Sequence, residues 1–232
     1  MVMKHFVLVL TVIIIVCSVG ISGQKNANDR SWNMDFKATP DELATIGRNR
    51  YFILEPGYEL VLENGKEQLV VAVTDQTKRI GDFDTRVVEE RESRGGKLTE
   101  VSRNFFAISK RTHDVYYFGE EVDIYRNGKV VAHEGAWLAG QNGARFGLMM
   151  PGEPTLNAKY YQEIAPRVAM DRAEIVSLTE QRRTPAGNFT NVLKTAETNP
   201  LEGHSLEYKY YAPDIGLLQD GQLKLVKYGA KK

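Results

Sequence analysis

The stretch Val115-Tyr-Tyr-Phe-Gly-Glu-Glu-Val-Asp-Ile-Tyr-Arg-Asn-Gly-Lys-Val-Val-Ala-His-Glu-Gly-Ala-Trp137 decides how this chain is read. Strand-forming residues flank Asn127-Gly128, the dipeptide that best tolerates the two positive φ angles of a type I′ turn. A two-residue turn sets Arg126 opposite Lys129. Counting back pairs Tyr125 with Val130, Ile124 with Val131, Asp123 with Ala132, Val122 with His133 and Glu121 with Glu134. Side chains alternate along a strand, so one face should carry Val122, Ile124, Val131 and His133. The other should carry Glu121, Asp123, Tyr125, Val130, Ala132 and Glu134.

Working outward, the same punctuation recurs. Asn64-Gly65 between Tyr58–Glu63 and Lys66–Thr74 predicts a hairpin with Leu60 opposite Leu69 and Tyr58 opposite Val71. Gly95-Gly96 folds Phe83–Arg103 back on itself. Its alternation is poor and charges such as Arg91 and Glu100 face one another, so it reads as a protruding or solvent-edge hairpin with weakly specified register. Thr184-Pro-Ala-Gly-Asn188 returns Arg172–Arg183 into Phe189–Glu197. Asp220-Gly221 joins Ile215–Gln219 to Gln222–Tyr228, with Leu218 opposite Leu223. The Gly-rich stretch from Gly135 to Gly152 reads as a long loop that wraps a core edge or lines a site. Thr39-Pro40-Asp41-Glu42 carries an N-cap, a first-turn proline and a capping-box glutamate, which predicts one short helix ending before Gly47. With no fixed-period repeat and no helices alternating with strands, the fold expected is mainly β, a curved or partly closed antiparallel sheet of many short strands.

The chain has 30 basic and 30 acidic side chains and no formal net charge. It therefore lacks the basic excess that holds a phosphate backbone, and no nucleic acid is expected. Lys4 and His5 precede an apolar run from Phe6 to Val16 and small residues from Cys17 to Gly23. That is a secretory leader, residues 1–23, with cleavage after Ser22 or Gly23. The run falls short of the roughly 20 apolar residues of a spanning helix, and a retained anchor is the alternative. Cys17 is the only cysteine, and Val16 before it does not fit a lipid-attachment motif. Without the leader no thiol remains, which excludes disulfides, Cys-ligated zinc and a cysteine nucleophile. Residues 24–47 then form an extension with the short helix, and 48–232 a single β-rich domain. The expected location is exported, periplasmic or extracellular.

Candidate chemistry is sparse. His133 is either a base or ligand, or a half-buried imidazole bonded to backbone, and no second His or Cys lies nearby to complete a metal set. Glu121 and Glu134 are expected to oppose one another with Asp123 on the same face. Like charges across a ladder are unfavourable, so either solvent or a cation must separate them. Glu163, Asp171 and Glu174, interleaved with Arg167 and Arg172, are either ion-pair partners or an acid and base for hydrolysis. Tyr116, Tyr117, Phe118, Trp137, Tyr160 and Tyr161 either fill a core or line a groove for a lipid or glycan. No G-x-S-x-G is present, and the glycines at 135, 140, 143 and 147 lack the Lys-Ser/Thr of a phosphate loop, so no cofactor is expected.

Six segments resemble, in order, a family of exported bacterial proteins of unknown function akin to the domain of the type IV pilus-associated TapB protein. They are Val115-Tyr-Tyr-Phe-Gly-Glu-Glu, Asn127-Gly-Lys-Val-Val-Ala-His-Glu-Gly-Ala-Trp, Leu148-Met-Met-Pro-Gly, Tyr160-Tyr-Gln-Glu-Ile-Ala-Pro, Thr184-Pro-Ala-Gly-Asn-Phe and Glu207-Tyr-Lys-Tyr-Tyr-Ala-Pro-Asp-Ile-Gly-Leu. The resemblance spans roughly Arg48 to Val226. It implies a half-barrel envelope protein without established activity or catalytic residues. The chain departs from the family at Lys110-Arg-Thr-His-Asp114, where members carry a tight Asp/Gly/Asn-type turn, so no cation-binding role carries over to that loop. The expected function is a non-enzymatic binding or structural module for an envelope protein or a lipophilic small molecule; the alternative is a secreted hydrolase using paired carboxylates. The candidate surface is Glu121, Asp123, Glu134, His133, Trp137, Glu163, Asp171 and Glu174.

Overall fold

Turn residues punctuate runs rich in Val, Ile, Thr, Tyr and Phe, and the chain folds accordingly. In the computed structural model, which describes residues 32–203 and 206–230, nearly all regular structure is strand. The expected leader, Cys17 and residues 24–31 of the extension lie outside the described residues. In chain order the strands are β1 (Leu43–Ala44), β2 (Gly47–Asn49), β3 (Phe52–Leu54), β4 (Tyr58–Asn64), β5 (Glu67–Ile80), β6 (Phe83–Arg94), β7 (Lys97–Ser109), β8 (Val115–Arg126) and β9 (Lys129–Ala132). There follow β10 (Trp137–Leu138), β11 (Arg145–Met150), β12 (Lys159–Tyr161), β13 (Glu163–Ile164), β14 (Arg172–Thr184), β15 (Gly187–Thr198), β16 (Glu207–Ala212), β17 (Gly216–Asp220) and β18 (Leu223–Ala230).

One 16-stranded antiparallel sheet takes all but β2 and β3, in the order β12-β14-β15-β16-β17-β18-β4-β5-β6-β7-β8-β11-β13. The two ends of that order, β12 and β13, are neighbours in the chain, separated by Gln162 alone. The sheet is thus a nearly closed barrel whose seam the chain itself bridges. β11 approaches this seam so closely that a methyl group added to Gly147 would overlap the carbonyl oxygens of Tyr161 and Gln162. Bulges sharpen the curvature: register shifts fall between Val73 and Thr77, Glu92 and Ser93, Asn104 and Phe106, and at three places along β14–β15. Each adds one or two residues to one strand and increases its twist, which bends a sheet toward closure.

The hairpin β2–β3 stands apart from the sheet and plugs one end of the barrel. Asn49, 1% exposed, anchors it. Its Nδ2 donates to the carbonyls of His113 and Pro151, both at 2.9 Å, and its Oδ1 accepts from the Tyr51 N–H at 2.7 Å. Tyr51 and Leu54 join Val73, Val88, Phe106, Tyr117, Leu193 and Tyr211 in the main core. Each such side chain contributes about 1.5–3 kcal/mol on full burial.

Several expectations need correcting. The short helix is a single 3₁₀ turn, Pro40–Glu42, whose Glu42 carboxylate accepts from the Thr39 N–H at 2.9 Å. It stops there because Leu43 and Ala44 pair with Ser109 and Ile108 of β7. Leu43 and Ala44 therefore belong to the sheet, and Asn33 forms a parallel bridge to Tyr160. The Gly95-Gly96 hairpin is not an edge element: β6 pairs along its length with both β5 and β7. The Gly135–Gly152 stretch is not one loop, since β10 and β11 within it both pair with β8. At Asn64-Gly65 and Asp220-Gly221 the turn sits one residue later, so Leu62 faces Leu69 and Asp220 faces Leu223. In both, glycine takes the first turn position with positive φ, +61° and +53°, the type II′ arrangement.

Candidate functional site

Strands β4, β5, β6, β11, β16 and β17 line, with the plug, a part-open cavity of about 70 Å³. Most of its wall is apolar: Phe52, Leu60, Val71, Val73, Val88 and Leu217 among others. One end is not. There Glu90, Lys209 and Asp220 reach the wall. Lys209 Nζ lies 3.2 Å from Glu197 Oε2 and 3.6 Å from Asp220 Oδ2. Glu197 is well supplied with donors, accepting from Thr195 Oγ1 at 2.9 Å, Gln162 Nε2 at 3.4 Å and the Tyr211 hydroxyl at 3.5 Å. Burial works against the Lys209 charge, but Asp220, Glu197, Tyr211 and Glu90 outweigh it and hold its pKa well above the ordinary value.

Beyond this lysine the interior is acidic. Burial pushes Glu90 up to about 7, against the pull of Lys209 and with help from Asp220 and Glu100. Burial, with Glu100 and Glu90 as like-charged neighbours, raises Glu92 to about 7 as well. Burial and the facing carboxyls of Glu90 and Glu100 take Glu120 to about 8. Glu163 is raised well above the carboxylate range by burial and then by Glu120 and Asp171. Its Oε2 accepts from Trp137 Nε1 at 2.9 Å. Asp171 is itself raised, by burial, against Lys209. The Tyr160 hydroxyl, in a side chain 2% exposed, is a buried polar group with no hydrogen-bond partner, and burial, then Glu197, raises its pKa.

The anticipated surface residues divide. Glu163, Asp171 and Trp137 converge in this interior. Glu121, Asp123, His133, Glu134 and Glu174 do not. Arg126 pairs with Lys129 and Tyr125 with Val130 as expected, around Asn127 (φ 54°) and Gly128 (φ 75°). A bulge then sets Ile124 opposite Ala132 instead of Val131. The strand ends there, so Glu121 and Glu134 never face each other. Glu121 pairs with Lys78, and Asp123 with Arg103 at 2.9 Å. His133 is exposed instead of half-buried. Its Nδ1 lies 2.7 Å from the Val122 carbonyl and 3.0 Å from Asp123 Oδ1. Both are acceptors, so Nδ1 carries the proton. Glu174 pairs with Lys159 at 3.2 Å. Tyr116, Tyr117, Phe118, Trp137, Tyr160 and Tyr161 are all buried, with Trp137 and Tyr116 also reaching the walls of two separate pockets.

Sequence reasoning missed Glu90, Glu92, Glu120, Glu197, Lys209 and Asp220. The signal was present: Glu90 and Glu92 alternate with Glu89 and Arg91, so one face of β6 had to carry carboxyls wherever it pointed. Among the described residues, no group of three or more His, Cys, Asp and Glu side chains is arranged to hold a metal ion. No protein-family model, curated protein or solved structure matches this chain.

Proposed function

We propose that the protein is an exported, envelope-associated binding module whose barrel interior holds a small amphipathic molecule. The observation that carries this reading is the cavity with one charged end: apolar side chains from six strands and the plug, meeting Glu90 and the Lys209–Asp220 pair. Ligand sites are typically apolar with a few placed polar groups that fix orientation. The size restricts the guest. At about 70 Å³ the cavity is roughly half the ~150 Å³ that admits benzene in an engineered core. It suits a short, slender apolar group with a polar terminus, not a whole acyl chain. The leader pattern at 1–23 and the thiol-free remainder support export. The resemblance to exported envelope proteins points the same way.

The hydrolase alternative draws on the convergence of Glu163 with Asp171. Glycosidase carboxyl pairs stand about 5–9 Å apart to admit a bond or a water between them. Glu163 is held by the Trp137 indole at 2.9 Å, Glu174 is paired with Lys159 and Glu134 lies elsewhere, which favours binding over hydrolysis. The test is mass spectrometry of the protein purified natively from its envelope fraction, beside a Val71→Phe variant that fills the cavity. A small amphipathic molecule released from the natural chain and absent from the variant is the expected result. Two equally empty proteins, or equal loads, would sink the reading.

A further inference from the structure

The charged end of the cavity has a definite sign. Glu90 shares a ladder rung with Val71 of β5 and Ser102 of β7. Val71 has nothing to donate, and the Ser102 hydroxyl is turned to Glu100, donating to its Oε1 at 2.9 Å. Among the described residues, no hydrogen bond or ion pair reaches the half-buried Glu90 carboxyl at the cavity wall. Lys209 is the reverse case. Asp220 faces it across β16–β17, and its ammonium lies 3.2 Å from Glu197 and 3.6 Å from Asp220. Carboxylates thus already flank the ammonium on two sides. Lys209 is also the only basic residue lining the cavity, set against Glu90 and Asp220 on the wall and Glu197 behind it.

We propose that the cavity selects a guest whose polar terminus is a protonated amine, a short alkylammonium held by Glu90 and Asp220 with its chain along Leu60, Val71 and Leu217. This rests on the reading of the cavity as a ligand site and names the class of ligand. An ammonium that leaves water must be paired, and Glu90 offers an acceptor that no protein donor has claimed. Asp220 adds a second, since a carboxylate accepts several hydrogen bonds at once. A carboxylate guest would instead meet an excess of negative charge. To reach Lys209 it would have to displace Glu197 or Asp220. An alcohol would gain neutral hydrogen bonds, roughly half as strong as charge-assisted ones. A chain of about three carbons suits the volume of about 70 Å³.

The test is a ligand-observed NMR titration of the full chain with n-propylamine, propanol and propionate. It is run at pH 8, where Glu90, pushed up to about 7 by burial, is ionised. The expected result is that n-propylamine binds about tenfold more tightly than either other probe. Glu90→Gln keeps the shape and removes the charge; it should weaken the amine about tenfold and leave propanol unchanged. Val71→Phe should block every probe. Tighter binding of propionate or propanol, lost in Val71→Phe, overturns the amine and leaves the cavity reading standing. Equal amine affinity in Glu90→Gln and the parent does the same. No binding of any probe, or amine binding that survives Val71→Phe, overturns both. The ranking of probes in the parent decides the matter even if a variant fails to fold.

Discussion

At the plugged end of the barrel, Asn49, Tyr51 and Leu54 fill the interior with satisfied hydrogen bonds and apolar surface. At the other end Glu90, Glu92, Glu120, Glu163 and Asp171 occupy equivalent inward positions and are held partly protonated by burial and by each other. The first end is built for permanence. The second stores electrostatic cost, because a buried carboxyl is tolerated only while it keeps its proton or finds a partner. Such groups concentrate at functional sites more often than in scaffolding. By that measure the acidic region is the candidate site.

The comparison can be broken most forcefully at the plug. Asn49→Ala removes three hydrogen bonds, one buried and two partly buried, and leaves two carbonyls without their donor, at a cost of about 3–4 kcal/mol. Chemical denaturation should show a lower midpoint with an unchanged slope, and the loss should be the same at pH 5 and pH 8. A loss confined to one pH would mean that the two ends are not independent.

The pH profile sharpens the other side. Carboxyls raised from 4.5 to about 7 (Glu90, Glu92) and about 8 (Glu120) bind more protons folded than unfolded. Their stabilisation is complete below pH 4.5 and is lost as pH rises through 7 to 8. These side chains are partly solvated, which tempers the effect. Melting should fall on the order of 5–10 °C between pH 5 and pH 8, and Glu120→Gln should flatten part of that slope while leaving the pH 5 value in place. A melting temperature that climbs over this range would contradict the assignment. Smallest of all, His133→Ala on the exposed hairpin should change stability by less than about 0.5 kcal/mol; a larger loss would return that face to consideration.

What could be read beforehand follows the same divide. Asn127-Gly128 placed its turn correctly because both residues take positive φ. Asn64-Gly65 and Asp220-Gly221 misled by one residue, since glycine there occupies the first turn position alone. Those slips preserve the side-chain parity of the strands, so the apolar pairing of Leu62 with Leu69 survives. The β6–β7 hairpin was misplaced at the solvent edge for a different reason. Glu90, Glu92, Glu100, Ser102 and Asn104 make its inner face polar, and periodicity equates polar with outside. The candidate site was illegible for that reason too. Glu163, Asp171 and Trp137 stood out only as types of residue. The partners that give them meaning, Glu120 and Lys209, come from strands far away in sequence.

The single residue between β12 and β13 has a consequence for how this molecule can move. In a barrel closed by hydrogen bonds alone, the last two strands can slide past one another by two residues and change the tilt of every other strand. Here Tyr161 and Glu163 are tethered through Gln162, and Gly147 admits the seam at only one depth. The circumference and shear are therefore fixed by covalent geometry. An insertion at Gln162 would give the barrel a freedom that its natural sequence denies it.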